Sequence, residues 1–143
     1  MLAGQLALIV AATFTGAALI ISVAEQPARL GLDDRAQLVE WTPSYKRAQT
    51  MQAPLAIIGF LLGVVAWRQT GNWRWIIGAD VLIGNWVYTI VAIFPVNERI
   101  KAIAPAMAGL TSRALIKKWG ILHAGRTALG FVATALFLWA SIS

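Results

Sequence analysis

The first charged side chain of the 143-residue chain is Glu25, so a run of 24 uncharged, mostly apolar residues precedes it. At about 1.5 Å per residue such a run outreaches the ~30 Å hydrocarbon core of a bilayer. A transmembrane helix over about 2–24 is therefore expected. Ser22 and Ala24 also fit the small-residue pattern of a signal-peptide cleavage site, but no Lys or Arg precedes the run, and the run is longer than a typical signal core. The segment is read as a retained span.

Three further runs follow. One extends from Pro54 to Trp67, with the helix beginning near Ser44, an N-cap candidate behind Pro43. The next, Trp75 to Val96, is broken only by Asp80, and the last, from Trp119 onward, only by Arg126. With 59% hydrophobic and 13% charged residues and a mean hydropathy of +0.70, a soluble globule would leave more apolar surface than it could bury. Backbone groups in lipid must be satisfied within the segment, so the spans are helices. The expected fold is all-α: one membrane domain over 1–143, an up-and-down four-helix bundle with spans at about 2–24, 44–67, 75–96 and 119–141 and two longer loops.

A net charge of +6 first suggests nucleic acid, but the 12 Lys and Arg sit between the apolar runs rather than on one strip. Arg29, Arg35, Lys46 and Arg47 fall in the loop at about 26–50, and Arg99, Lys101, Arg113, Lys117 and Lys118 in the loop at about 98–118. Only Arg68 and Arg74 flank the short QTGNWR connection, whose Thr70, Gly71 and Asn72 are turn formers and whose neighbours Trp67, Trp73 and Trp75 mark an interface. The positive-inside rule then puts both long loops in the cytoplasm and both termini outside, in the periplasm if the host is, most simply, a bacterial inner membrane. Lipid is the expected partner and nucleic acid is not. No oligomeric state follows from the sequence.

The long loops carry apolar patterning of their own. Leu30, Leu32, Leu38, Val39 and Trp41 predict a short interfacial helix capped near Asp33, with Asp34 in its first turn. Ile100, Ile103 and Met107, broken by Pro105, predict a similar element, and together the two would lid one mouth of the bundle. Gly59-x-x-x-Gly63, with Gly16, Gly78, Gly84 and Gly130, is read as close helix packing.

Ionisable and amide groups inside spans are costly and are candidate functional groups. With no cysteine and one histidine, neither a metal site nor a haem is expected, and no cofactor is assigned. Trp119, His123 and Arg126 share a helix face by i, i+4, i+7 spacing, and Thr15, Ser22 and Glu25 or Gln26 share another. Arg126 lies too deep to stay unpaired, and Glu25 is the one acid near that depth. A Glu25–Arg126 pair is predicted, direct or through His123 or Asn97. Asp80, nearer the opposite face, is read as structural, with Arg68 or Arg74 snorkelling to it. A carboxylate, an imidazole, a guanidinium and amides such as Gln49, Gln52 and Asn97 converging on one mouth suit a planar, polar-edged molecule. The plainer reading is a clamp between the first and fourth helices.

The segments VAEQPARL (23–30), WTPSYKRAQTMQA (41–53), NWVYTIVAIFPVN (85–97) and WGILHAGRTALG (119–130) resemble the anthrone oxygenase-like family of four-helix membrane proteins over nearly the whole chain. Pro27, Pro95-x-Asn97 and Trp119 with His123 and Arg126 carry the resemblance. At Gln26 the chain departs from the family pattern, in which a histidine is frequent. The resemblance implies a cofactor-independent monooxygenase that oxidises an anthrone with O2, which needs a base, an oxyanion partner and an apolar slot. His123, with an imidazole's ordinary pKa of about 6.5, is the expected base. Glu25 would orient it or pass its proton onward, and Arg126 and Asn97 would hold the enolate oxygen. Trp41, Tyr45, Gln52, Trp86, Tyr88 and Trp119 would line the substrate. The alternative is a non-catalytic membrane binding or carrier module, or a complex subunit, for an aromatic or quinone-like ligand.

Overall fold

The computed structural model of the protein describes every residue, Met1–Ser143. Four helices long and apolar enough to cross a membrane make up nearly all of it: α1 (Leu2–Leu30), α2 (Asp34–Thr70), α3 (Trp73–Lys101) and α4 (Leu110–Ser141). Each packs on the next and α4 returns to α1, with α2 and α4 touching across the diagonal, so the chain runs up and down around a ring.

The helices are longer than the apolar runs, and the long loops shrink accordingly. Asp33 caps α2, accepting from the Ala36 N–H at 2.9 Å, and the helix then continues through Pro43 and Pro54 for 37 residues. The predicted interfacial helix is thus the first turns of α2, and Ser44 is not a cap. At about 1.5 Å per residue α2 is roughly 55 Å long, so the bundle projects well beyond a bilayer core at the end that carries most of the basic residues. Only Gly31–Asp33 joins α1 to α2, and a short 3-10 turn at Pro105–Met107 lies between α3 and α4. The expected lid is not formed: Leu38, Trp41 and Ile100 are core residues, while Met107 is 77% exposed. Arg113 ties this end together, meeting Asp34 at 2.5 Å and donating to the Leu30 carbonyl, which α1 leaves free at its terminus, and to the Leu32 carbonyl in the connection.

The other end turns tightly, as its residues predict. Gly71 sits at φ 68°, a left-handed conformation open to glycine, and Asn72 caps α3 by accepting from the Arg74 N–H. Arg74 lies over the Trp73 and Trp139 rings and Arg68 over Trp67. Neither reaches Asp80, which is exposed and makes no ion pair, so the snorkelling contact is not made.

Two cores divide the length of the bundle. Towards the tryptophan-rich end, small residues such as Ala7, Ala11, Ala79 and Ala133 pack around Phe14, Trp75, Leu82 and Phe137. Towards the basic end the core is bulky: Ile21, Trp41, Ile93, Ile100, Ile116 and Trp119 among others. In the first core, Gly59 is packed by Leu82, Gly63 by Ala79 and Phe137, Gly78 by Phe137 and Gly130 by Phe14 and Thr15. Gly16 and Gly84 face open space and make no such contact.

α1 and α3 each contain a five-residue π-helical segment, Ile21–Glu25 and Thr89–Ile93, closed by i→i+5 bonds from Gln26 and Phe94. A proline that cannot donate follows two residues later, Pro27 or Pro95. The two segments sit at similar depth on the two helices that run in the same direction.

Candidate functional site

A polar seam joins α1 to α4. Thr15 meets Thr134 at 2.9 Å, Ser22 meets both Thr127 (3.0 Å) and His123 Nδ1 (3.2 Å), and Gln26 donates to the Ile116 carbonyl at 2.9 Å. Residues 15, 22 and 26 recur at helical spacing, and their partners descend α4 in the opposite sense, as antiparallel neighbours must. Gly120 lies against Gln26, where a Cβ would collide with the amide.

Above the seam, towards the basic end, Arg29 is 2% exposed. It donates to Glu25 (2.6 Å), Gln26 (2.5 Å), Ser44 (3.0 Å) and Glu40. Ser44 also donates to Glu25. This overturns the predicted Glu25–Arg126 pair: Glu25 belongs to Arg29, one helical turn on, and none of the protein's ion pairs involves Arg126. Nor does Glu25 hold His123, whose hydrogen-bond partner is Ser22.

The expected aromatic walls separate into two groups. Tyr45 stacks on Trp41 (4.9 Å, 3°), Trp41 meets Trp119 edge-on (6.0 Å, 89°), and Trp119 stacks on His123 (5.0 Å), with the Arg29 guanidinium carbon 5.4 Å from the Trp119 ring centroid. These form one packed column. Tyr88 donates to the Leu122 carbonyl at 2.5 Å and packs on Gly125, joining α3 to α4.

Trp86 stands elsewhere, at a cavity of about 70 Å³ between α2 and α3. Gln49, Ala53 and Ala56 form one wall, Asn85, Trp86, Thr89, Ile90 and Phe94 the other, and Arg126 of α4 lines it too. Each water needs about 10–15 Å³ of such volume, so several fit. Arg126 Nε is buried without an acceptor, and the guanidinium carbon lies 5.5 Å from the Phe14 ring centroid. Asn85 Oδ1 is buried and unpartnered, as are both amide atoms of Gln52 and of Asn97. Native interiors leave few such groups, because each costs about 1–3 kcal/mol without a partner. Of these, Asn85 shares the cavity with Arg126.

Residues 41–136 match the family model described as anthrone oxygenase. The chain belongs to this family. The match takes in roughly two thirds of the chain, and every residue lining the cavity falls inside it, whereas Ser22, Glu25 and Arg29 precede it. No curated protein and no solved structure matches the chain.

Of the sequence-predicted site residues, the structure brings Arg126 and Trp86 to the cavity and His123, Trp41, Tyr45 and Trp119 into the column. Glu25 lies in the Arg29 cluster, and Asn97 is fully buried near the end of α3. Gln49, one of the amides expected at the mouth, lines the cavity, as do Asn85 and Thr89, which had no assigned site role. Asn85 and Thr89 are i, i+4 on a span, a polar pair that marks an inward face. Arg29 was counted as a loop charge, although its i, i+4 spacing from Glu25 signals an ion pair.

Proposed function

We propose that the protein is a cofactor-independent oxygenase acting on an anthrone-like aromatic substrate, with Arg126 as the partner of the developing enolate oxygen and His123 as the base. The observation that carries this reading is Arg126 itself: a guanidinium at a cavity inside the membrane-spanning bundle, with no acid paired to it. A buried cation without a counter-charge is expensive, and an enolate oxygen supplies that charge as the reaction proceeds, which is where stabilisation accelerates chemistry. Gln49 offers an amide donor beside it.

The chemistry asks little more of the chain. A base removes a proton from the carbon opposite the anthrone carbonyl, the resulting enolate transfers electrons to O2, and a C–O bond forms at that carbon. Loss of water from the hydroperoxide leaves a second carbonyl, so one anthrone and one O2 give one anthraquinone and one H2O. Ser22 supports the base. When His123 Nδ1–H donates to Ser22 and Ser22 donates to Thr127, Nε2 is left free to accept a proton. The basic end is assigned to the cytoplasm by the same loop charges that the sequence shows, and a bacterial inner membrane as the host.

The test is oxygen uptake and quinone formation by the purified protein with a simple anthrone, corrected for autoxidation. Turnover is expected to fall about 10²-fold or more in Arg126→Gln and His123→Asn. Turnover intact in both would sink the role assignment. One observation favours a second reading: His123 does not line the cavity. In a binding or carrier module His123→Asn would leave anthrone binding unchanged, and the parent protein would show no uptake.

A further inference from the structure

The cavity has an unusual position for a site built into a bundle: its walls are two neighbouring helices, and its mouth is on the outside. Of its lining residues, Ile90 is 52% exposed and Trp86 37% exposed. Their depth follows from helix arithmetic. Trp86 lies 12 residues beyond Arg74 and Arg126 lies 13 before Trp139, so both are about 18–20 Å inward from the tryptophan-rich interface. That is within the ~30 Å hydrocarbon layer. What faces the mouth is therefore acyl chain, not water.

The hollows towards the two ends of the bundle, one lined by Met1, Gln5, Trp75 and Ser141 and one by Glu25, Glu40, Ser44 and Arg47, do not include Arg126. On one side stands the alanine-rich core with Phe14, Leu82 and Phe137 fully buried. On the other stand the stacked column and the Arg29 cluster. Across the slot itself, the side-chain hydrogen bond between the walls is from the Trp86 indole N–H to the Ala53 carbonyl, at 3.1 Å. The residues facing Trp86 on α2 are small, Ala53 and Ala56. The opposite wall includes Thr89 and Ile90 from the π-helical segment of α3, a backbone form that recurs at functional sites.

We infer that the ligand reaches Arg126 sideways from the bilayer, through the slot between α2 and α3, with the Trp86 indole as its latch. This rests on the reading of the cavity as the substrate site and adds the route and the ligand class: a lipid-soluble aromatic molecule carrying a carbonyl or anionic oxygen on one edge. Size supports it. A benzene ring fills a cavity of about 150 Å³, and the closed slot offers about 70 Å³. A fused-ring ligand seats its oxygen edge at Arg126 only when the indole swings aside, its remaining rings lying in the slot or the surrounding lipid.

Benzophenone tests this directly, being a lipid-soluble diaryl ketone that inserts into nearby C–H bonds on irradiation. The full chain is reconstituted in phosphatidylcholine vesicles, irradiated with benzophenone, and its adducts are mapped by mass spectrometry. The expected adducts lie in the peptides around Ala53 and Thr89–Ile90, are competed by excess anthrone, and increase in Trp86→Ala. Arg126→Gln is expected to lower them about tenfold, the worth of one charge-assisted hydrogen bond, while labelling at the lipid-facing Leu6–Ile9 stretch is unchanged. Thr89→Trp, which fills the slot without touching the charge, is expected to do the same should Arg126→Gln fail to fold. Adducts confined to Glu25–Ala48 and Leu115–His123, or slot labelling indifferent to anthrone and to both substitutions, would overturn the lateral route. Oxygen uptake with labelling only at the basic end would overturn the route and leave the oxygenase reading standing. Slot labelling without uptake would do the reverse.

Discussion

The two cores of this bundle are built on opposite terms. The one towards the tryptophan-rich end is assembled from alanines and glycines, with Thr15 its main buried polar side chain; the one towards the basic end is assembled from large side chains and holds Gln26, Arg29, Gln37, Asn97, Ser112 and His123 among its buried polar residues. Lipid tails are as apolar as leucine, so helices surrounded by lipid gain little by burying apolar area and instead gain by close approach, which small residues permit. Where the helices project towards water, burying bulky apolar groups is favourable again and polar groups find partners. One half holds the shape of the molecule. The other half and the boundary between them hold most of the buried polar groups and the cavity at Arg126.

The comparison is broken most severely at Arg29. Arg29→Ala leaves Glu25 and Glu40 facing one another without their cation and removes a contact with Trp119. Both acids are about a third exposed, which softens the cost of a fully buried pair, and a loss of about 2–3 kcal/mol is expected. Thermal unfolding in detergent, with hydrogen exchange localising the loss to the basic half, is the check. Gly63→Val acts on the other core: a Cβ there would lie 2.9 Å from both Ala79 and Phe137, and about 1–3 kcal/mol of overpacking is expected, again by thermal unfolding. Thr15→Val removes one interhelical hydrogen bond and is expected to cost about 0.6 kcal/mol, with Thr134→Val nearly free of further effect once Thr15 is gone. Gly16→Ala sharpens the comparison from below. It meets no neighbour, and its melting temperature should match the parent's, since exposed changes fall within about ±0.5 kcal/mol.

The bundle was legible because span length and the tight QTGNWR turn each report a strong physical constraint that acts locally. Helix ends were not, since hydropathy marks where lipid begins and not where a helix stops: α2 begins ten residues before the start expected at Ser44 because Asp33 caps it and because its first turns bury Leu38 and Trp41. The pairing within the polar region was misread. Arg126 and Trp86 do line one cavity, but depth counting gave Glu25 to Arg126, while the nearer i, i+4 partner Arg29 had been set aside as a solvated loop charge. Ser22 was placed on the correct face of α1, and only the structure could join it to His123, because that contact depends on how α1 is rotated against α4.

Past Ser22 on α1 and past Thr89 on α3 the phase of the helix changes, because the two π-helical segments act as phase shifters. Each amounts to one residue more than an ideal α-helix would need over the same length, and one residue is about 100° of turn. Downstream of Ile21–Glu25 and of Thr89–Ile93, a helical wheel drawn from the start of either helix points to the wrong side. Deleting a single residue within Ile21–Glu25 would restore the ordinary winding and swing Gln26 and Arg29 about a quarter turn out of the interior, so the clamp at the basic end is encoded as much by chain length as by side-chain identity.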